Sequence, residues 1–262
     1  MPRTYLITAA SGIGAETARL LAREEKADGC QIFLVSLEES ICRSLASEIE
    51  QLGATAEYRS GDLTDPAFAP MAVKACLACF SRIDGLFNVA GTSGRRFGDG
   101  PVHECTEEGW LKTLDANLTT QYRMCREVVS AMLSQPEVND QRGVILNMSS
   151  ILALHPEFRY FDTVAYAASK GATLAMSRSM AASYAGSKIR VNAIAPALTQ
   201  TAMSRRASTD PEISEVIRRK QPLFDGMIPP RDVATVCKFL LTNSSRAITG
   251  QTFIVDAGWS IH

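Results

Sequence analysis

Short runs of β-branched and apolar residues alternate along this chain with longer stretches whose apolar positions recur at helical spacing. The runs Thr4–Thr8, Gln31–Ser36, Ala54–Ser60, Ile83–Asn88, Gly143–Met148, Ile189–Ile194 and Thr252–Val255 read as seven strands. Several are nearly continuous in apolar residues, as expected when helices cover both faces of a sheet. Helical candidates lie between them near 13–26, 38–52, 66–82, 107–134, 163–185 and 230–242. The charged clusters Glu24-Glu25-Lys26 and Glu48–Gln51 fit solvated helix faces or ends. Strands separated by crossovers long enough to hold a helix predict an α/β fold with a doubly wound parallel sheet. No repeat, low-complexity tract or linker interrupts the alternation, so residues 1–262 read as a single domain.

Composition changes this picture little. The chain has 262 residues, 46% apolar and 21% charged, with a net charge of -1, an ordinary water-soluble balance. That charge gives no electrostatic reason to expect nucleic acid or an anionic membrane surface. There is no apolar run of about 18 residues, so no membrane-spanning helix is expected. Met1–Ile7 passes directly into a strand without a signal-peptide pattern, and a cytoplasmic location is expected. Seven scattered cysteines suit reduced thiols. Cys76 and Cys79 form a C-x-x-C inside an Ala-rich helical stretch with no second pair. They read as semi-buried helix cysteines, and no metal site is expected.

The candidate chemistry lies in two places. In doubly wound sheets, ligands bind beyond the carboxyl ends of the strands where strand order reverses. The first turn there is Thr8-Ala9-Ala10-Ser11-Gly12-Ile13-Gly14. Gly12 and Gly14 let backbone approach a pyrophosphate at a helix N-terminus, although two glycines also suit a turn for geometry alone. The second place is Tyr166-Ala167-Ala168-Ser169-Lys170, with Ser149-Ser150 upstream. Tyr166 and Lys170 share a helix face. An ammonium beside a phenol favours the phenolate and brings its pKa towards the working range. A serine hydroxyl nearby then holds a carbonyl or alcohol oxygen while the proton moves. Tyr-x-x-x-Lys is common by chance, so its weight depends on the rest of the chain.

The rest of the chain resembles the short-chain dehydrogenase/reductase family from the first strand to the C-terminus. Asp62 in Gly61-Asp62-Leu63-Thr64 fits the family's adenine-contacting aspartate, and Asn88-Val89-Ala90-Gly91 fits its N-N-A-G with one change. Asn117 in Asp115-Ala116-Asn117-Leu118 fits the helix-four asparagine, and Ser150 the strand-five serine. Arg190–Pro196, Thr201, Ile248–Gln251 and Val255–Gly258 fit the last two strands and the threonine that contacts the nicotinamide amide. The resemblance implies a Rossmann-like fold and NAD(P)-dependent interconversion of a secondary alcohol and a ketone. Asn117, Ser150, Tyr166 and Lys170 would be catalytic: Tyr166 as general acid/base, Lys170 lowering its pKa and binding ribose, Ser150 polarising the substrate oxygen, and Asn117 holding a relay water. Thr8, Ser11, Gly12, Ile13, Gly14, Ser36, Asp62, Leu63, Asn88, Ala90, Gly91, Tyr166, Lys170, Pro196 and Thr201 would contact the cofactor.

Departures from the family pattern define what remains open. The first glycine of its T-G-x-x-x-G-x-G loop is missing, its position falling on Thr8 when Gly12 and Gly14 are aligned. The end of strand two is Ser36-Leu37, without the family's usual acidic residue and with no Arg or Lys before Arg43; Glu38 tilts the reading towards NAD over NADP. Ala197 replaces a glycine after Pro196. Between Ser150 and Tyr166, the loop bearing His155, Phe158, Tyr160 and Phe161 is about three residues longer than usual and should border a small-molecule alcohol or ketone. Ser204-Arg205-Arg206 and Ile217-Arg218-Arg219-Lys220 are candidates for an anionic substrate group or for solvated helix faces, the latter favoured. Gly94–Gly100 reads as a mobile rim. The resemblance implies a homotetramer or homodimer through helices 107–134 and 163–185, with Trp259 and Ile261 as a second contact. The damaged glycine loop also keeps a non-catalytic dinucleotide-binding regulator in view.

Overall fold

A computed structural model describes residues 2–25 and 29–262; Met1 and Lys26, the latter at the end of the expected first helix, lie outside the described residues. The strands are β1 Arg3–Ile7, β2 Cys30–Ser36, β3 Thr55–Ser60, β4 Gly85–Asn88, β5 Gly143–Met148, β6 Ile189–Pro196 and β7 Thr252–Val255. They form one parallel sheet in the order β3-β2-β1-β4-β5-β6-β7. The interior strands β4, β5 and β6 are buried at every position, which is why their sequences are mostly apolar runs.

The helices are α1 Gly12–Glu24, α2 Glu39–Gln51, α3 Phe68–Phe80, α4 Glu107–Leu114, α5 Thr120–Ser134, α6 Val164–Tyr184, α7 Arg205–Thr209, α8 Pro211–Lys220 and α9 Pro230–Leu241. In α2, Cys42, Leu45, Ala46 and Ile49 fall at i, i+3, i+4 and i+7 and form its buried stripe. With α1 and α9 they cover one face of the sheet; α3, α5 and α6 cover the other. Strand order reverses between β1 and β4, and the cleft opens beyond the carboxyl ends there.

Two expectations need correction. The helix expected over 107–134 is interrupted by a π-helical turn at Asp115–Thr119, closed by the Thr120 N–H on the Asp115 carbonyl. The extra residue in that turn carries Asn117 into the interior, where it is fully buried. The connection 197–228, absent from the helical candidates apart from basic clusters read as helix faces, holds two helices, α7 and α8. Gln221 pins its base: its side chain accepts from Leu198 N at 2.8 Å and donates to the carbonyls of Leu198 and Gly226. Cys76 is buried, and burial pushes its thiol pKa up, while Cys79 is exposed.

Candidate active site

The cleft is lined by residues from the ends of β1, β4, β5 and β6, together with α6 and α7. Ser11, Gly12 and Ile13 contribute the entry to α1. Gly12 takes the left-handed conformation at φ 53°, and a Cβ on Gly14 would lie 2.5 Å from the Ala9 carbonyl oxygen. Both positions therefore require glycine. None of Thr8, Ala9 and Ala10 has a positive φ, so the turn closes without the glycine absent from its start. Ser11 makes no side-chain cap bond, and the first turn of α1 has no acidic residue, which leaves its N–H groups and dipole open to an anion. These features fit the diphosphate of a dinucleotide.

Thr8 and Asn88 do not line the cleft; they lie beneath it. The Thr8 hydroxyl accepts from Val89 N at 2.9 Å and Ala90 N at 3.1 Å and donates to the Phe87 carbonyl at 3.3 Å. It ties the end of β1 to the loop that presents Ala90 and Gly91 to the cleft. Asn88 donates to Asn147 Oδ1 at 2.9 Å, and Asn147 donates to the Ser177 hydroxyl of α6 at 2.9 Å. Ser36, Asp62 and Leu63 sit at the far end of the sheet's carboxyl edge. Asp62 is exposed and accepts from Thr64 N and Oγ1, both at 2.8 Å, while Leu63 is buried. Pro196 and Thr201 line the cleft, and Thr201 forms a capping box with Ser204.

Ser150, Tyr166 and Lys170 face the same cleft. The two serines after β5 divide the work. Ser149 is buried and donates to the Lys170 carbonyl at 2.8 Å, fastening α6 to β5. The Ser150 hydroxyl accepts from Leu152 N at 3.2 Å, which holds it at the cleft wall, close enough to act on the Tyr166 phenol. Lys170 Nζ is 5.6 Å from the Tyr166 ring centre and donates to the Met148 carbonyl at 3.0 Å.

The electrostatics differ from the simple expectation of an ammonium lowering a phenol's pKa. Burial depresses Lys170 to about 7, because the site offers the ammonium little solvation. Burial also raises Tyr166 above its usual value, and the nearby Ser150 hydroxyl is the opposing influence. Both groups are thus poised towards their neutral forms.

Asn117 and Lys170 both approach Gly91, and the Asn117 side-chain amide is already engaged. Oδ1 accepts from Thr92 N at 3.1 Å, and Nδ2 donates to the carbonyls of Thr92 at 2.9 Å and Thr113 at 3.0 Å. Its carbonyl accepts from Gln121 Nε2 at 2.9 Å, and that nitrogen also donates to the Met148 carbonyl at 3.0 Å. Gln121 therefore bridges Asn117 to the carbonyl that also holds Lys170. Sequence reasoning missed it, although the i, i+4 spacing from Asn117 was visible.

Asp99 was also missed. Its carboxylate accepts from Ala165 N at 3.0 Å and Tyr166 N at 2.9 Å, capping the helix that carries the tyrosine. The glycine-rich stretch expected to be a mobile rim is instead a 3-10 turn at Gly94–Phe97 leading into this buried carboxylate. No local motif announces a cap supplied from so far away in sequence. We expect Asp99→Asn to leave two N–H groups short of a charged acceptor and to cost about 1–3 kcal/mol of stability, read by urea unfolding.

Other expected pocket residues separate. Phe161 reaches the cleft and packs edge-on against Trp259, their ring centres 5.6 Å apart. Phe158 is 76% exposed, and the Tyr160 hydroxyl bonds Glu212 outside the cleft. His155 is exposed, its carbonyl accepting from Trp259 Nε1 at 3.1 Å. Trp259 is buried within the fold and is not available as a subunit contact; Ile261 is exposed. Arg218 pairs with Glu215, and Lys220 with Glu157 at 2.8 Å, so two of that cluster's three cations are paired away from the cleft. Arg206, with Arg95 opposite, does reach it.

Comparison with known proteins places this architecture. Residues 8–260 match a family model described as "Enoyl-(Acyl carrier protein) reductase". An "A-factor type gamma-butyrolactone 1'-reductase (1S-forming)" from Streptomyces virginiae is 31% identical, over 99% of this chain and 96% of its own. A short-chain type dehydrogenase/reductase from Mycobacterium ulcerans superposes with a TM-score of 0.87 at 28% identity, covering 99% of this chain and 90% of the other. A variant actinorhodin polyketide ketoreductase with NADPH gives 0.85 at 26% identity, covering 100% and 98%.

Proposed function

The chain belongs to the short-chain dehydrogenase/reductase family and is an NAD(P)-dependent oxidoreductase acting on alcohol or carbonyl groups; we propose that it interconverts a secondary alcohol and a ketone, with Tyr166 moving the proton. The observation that carries this reading is the meeting of Ser150, Tyr166 and Lys170 in one cleft with the bare N-terminus of α1. A nicotinamide dinucleotide supplies or accepts the hydride when bound, and its oxidised ring adds positive charge. Ser11, Gly12, Ile13 and Gly14 hold its diphosphate end, and Ala90, Gly91, Pro196 and Thr201 border the nicotinamide end. Thr8 and Asn88 support that surface from below.

Within the cleft, the Ser150 hydroxyl holds the substrate oxygen and Tyr166 Oη gives or takes its proton. Lys170, held by the Met148 carbonyl, orients the ribose and supplies positive charge when protonated. Asn117 fixes the loop at Thr92 and, through Gln121, the backbone around Lys170. The rival reading as a non-catalytic regulator drew on the missing loop glycine, and a turn with no positive φ at Thr8–Ala10 weakens that ground.

The preference leans to NAD. Leu37 and Glu38 are exposed at the end of β2. Arg43, the first cation beyond them, is paired with Glu39 at 2.5 Å and donates to the Tyr58 hydroxyl at 3.2 Å, which occupies it. Titration of both nucleotides by protein fluorescence tests this: NADH should bind at least about tenfold more tightly than NADPH, a gap of ~1.4 kcal/mol. Millimolar binding of neither nucleotide would sink the dinucleotide reading, and tighter NADPH binding would reverse the preference. A cytosolic homodimer or homotetramer fits the free cysteines and the exposed Leu111, Tyr122 and Leu133 on α4 and α5.

A further inference from the structure

We propose that the substrate carries a carboxylate, gripped at the mouth of the cleft between Arg95 and Arg206. The inference rests on the oxidoreductase reading and names the class of substrate for that same site. Arg95 stands on the 3-10 turn after β4 and Arg206 on α7, so two segments distant in sequence each deliver a guanidinium to the cleft that holds Ser150 and Tyr166.

The two cations converge on one acceptor. Arg95 Nη2 and Arg206 Nη2 each donate to the Tyr160 carbonyl at 2.8 Å, and Arg95 Nη2 also reaches the Asp162 carbonyl at 3.4 Å. A carbonyl accepts two donors readily, but as a neutral group it does not balance two guanidinium charges. Among the described residues neither arginine has a carboxylate within ion-pair distance, whereas the neighbouring cations Arg159 and Lys220 pair with Glu212 and Glu157. Asp99 and Asp162 are the carboxylates that act on Arg95, and both oxygens of Asp99 are already committed to the N–H groups of α6. Burial and the nearby Arg206 charge press the Arg95 pKa down more than Asp99 and Asp162 hold it up.

Each guanidinium has five N–H donors and spends only those on Nη2 here, leaving Nε and Nη1 for a ligand. A planar carboxylate with two oxygens suits two such forks, relieves the repulsion between them, and leaves its carbonyl-bearing end for Ser150 and Tyr166.

Two other roles make different predictions. If the arginines only staple the loop at Tyr160, their loss weakens all substrates alike and lowers stability. If they meet a cofactor phosphate, their loss weakens nucleotide binding. The test uses 2-oxo and 3-oxo carboxylates of increasing chain length and their matching primary amides, with wild type, Arg95→Gln, Arg206→Gln and the double variant. Steady-state cofactor oxidation and thermal shift in the presence of NADH and NADPH are both read.

The acid should exceed its amide in kcat/KM by about tenfold or more for each arginine, as charge-assisted hydrogen bonds allow. That preference should collapse in the double variant, with acid turnover falling at least about tenfold further than amide turnover and nucleotide affinity. Equal use of acid and amide, or a preference that survives the double substitution, overturns the carboxylate site and leaves the oxidoreductase reading intact. If no substrate turns over yet carboxylates raise the wild-type melting temperature and not the double variant's, the anion site stands and the reaction assigned to it fails. Neither turnover nor a carboxylate-dependent shift overturns both.

Discussion

Tyr166→Phe should fold as the wild type does, bind nucleotide with unchanged affinity, and lose turnover by about 10²–10⁴-fold, the span that a positioned acid or base contributes. The substitution removes one hydroxyl and keeps the ring that packs beneath Lys170. Its structural cost is limited to the polar influence of Ser150 on the phenol, so stability should change by no more than about 1 kcal/mol. The loss should fall on kcat, because the proton moves in the transition state and the hydroxyl adds little to ground-state binding. Steady-state kinetics on any alcohol or ketone the wild type accepts, beside a nucleotide titration, separates these terms. Undiminished turnover would falsify the assignment of Tyr166 and leave the family and fold untouched.

Lys170→Met should make the protein more stable near neutral pH while lowering its activity by about 100-fold or more, as loss of a positioned charge beside the acid/base group implies. Burial holds the folded-state pKa of Lys170 at about 7, whereas an unfolded lysine titrates near ~10.4. Between these values the unfolded chain binds more protons than the folded one, so stability rises with pH through that window. Below about pH 7 the lysine is protonated in both states and the burial cost is complete. Above about pH 10 it is neutral in both and the cost has gone.

Methionine has nearly the same length and carries no charge, so the variant escapes the cost at every pH. Its advantage should be on the order of 2–4 kcal/mol near pH 6 and should vanish towards pH 10. The Met148 carbonyl keeps a donor in Gln121, so no acceptor is orphaned. Urea unfolding of both proteins across this range is the measurement. A variant less stable than wild type at pH 6 would show that Lys170 is stabilised by partners beyond the Met148 carbonyl.

These two outcomes bear on why the site is built as it is. A buried lysine and a half-buried tyrosine both poised towards neutrality make an arrangement that is costly to keep and easily tipped by a nearby charge. Function at the expense of stability is the expected pattern for a proton-transfer site. Ser149 shows the cost being offset, since it fastens the Lys170 turn of α6 to the end of β5. Asp99 does the same from the other side by capping the helix start.

Much of the fold was legible because burial on both faces leaves a plain mark on a strand. β2, β5 and β6 announce themselves as apolar runs, and α2 as a stripe at helical spacing. Tyr166 and Lys170 were legible together because a helix brings i and i+4 to one face. Thr8 shows the limit of such reading. Its place in the loop pattern pointed to cofactor contact, yet its hydroxyl is spent on Val89 and Ala90 across the sheet. Arg206 shows another limit, since sequence alone could not separate it from the neutralised cations of α8.

The sequence by itself determined the parallel α/β architecture, the position of the cleft at the strand-order switch, and the residue types that meet there. Those follow from local periodicity and from the handedness of strand–helix–strand connections, which every segment carries in its own residues. Only the tertiary structure decided the electrostatic state of Tyr166 and Lys170, the capping of α6 by Asp99, and the convergence of Arg95 with Arg206. Each of these depends on desolvation or on contacts between segments far apart in the chain. Such quantities belong to the packed whole, and no stretch of sequence states them in advance.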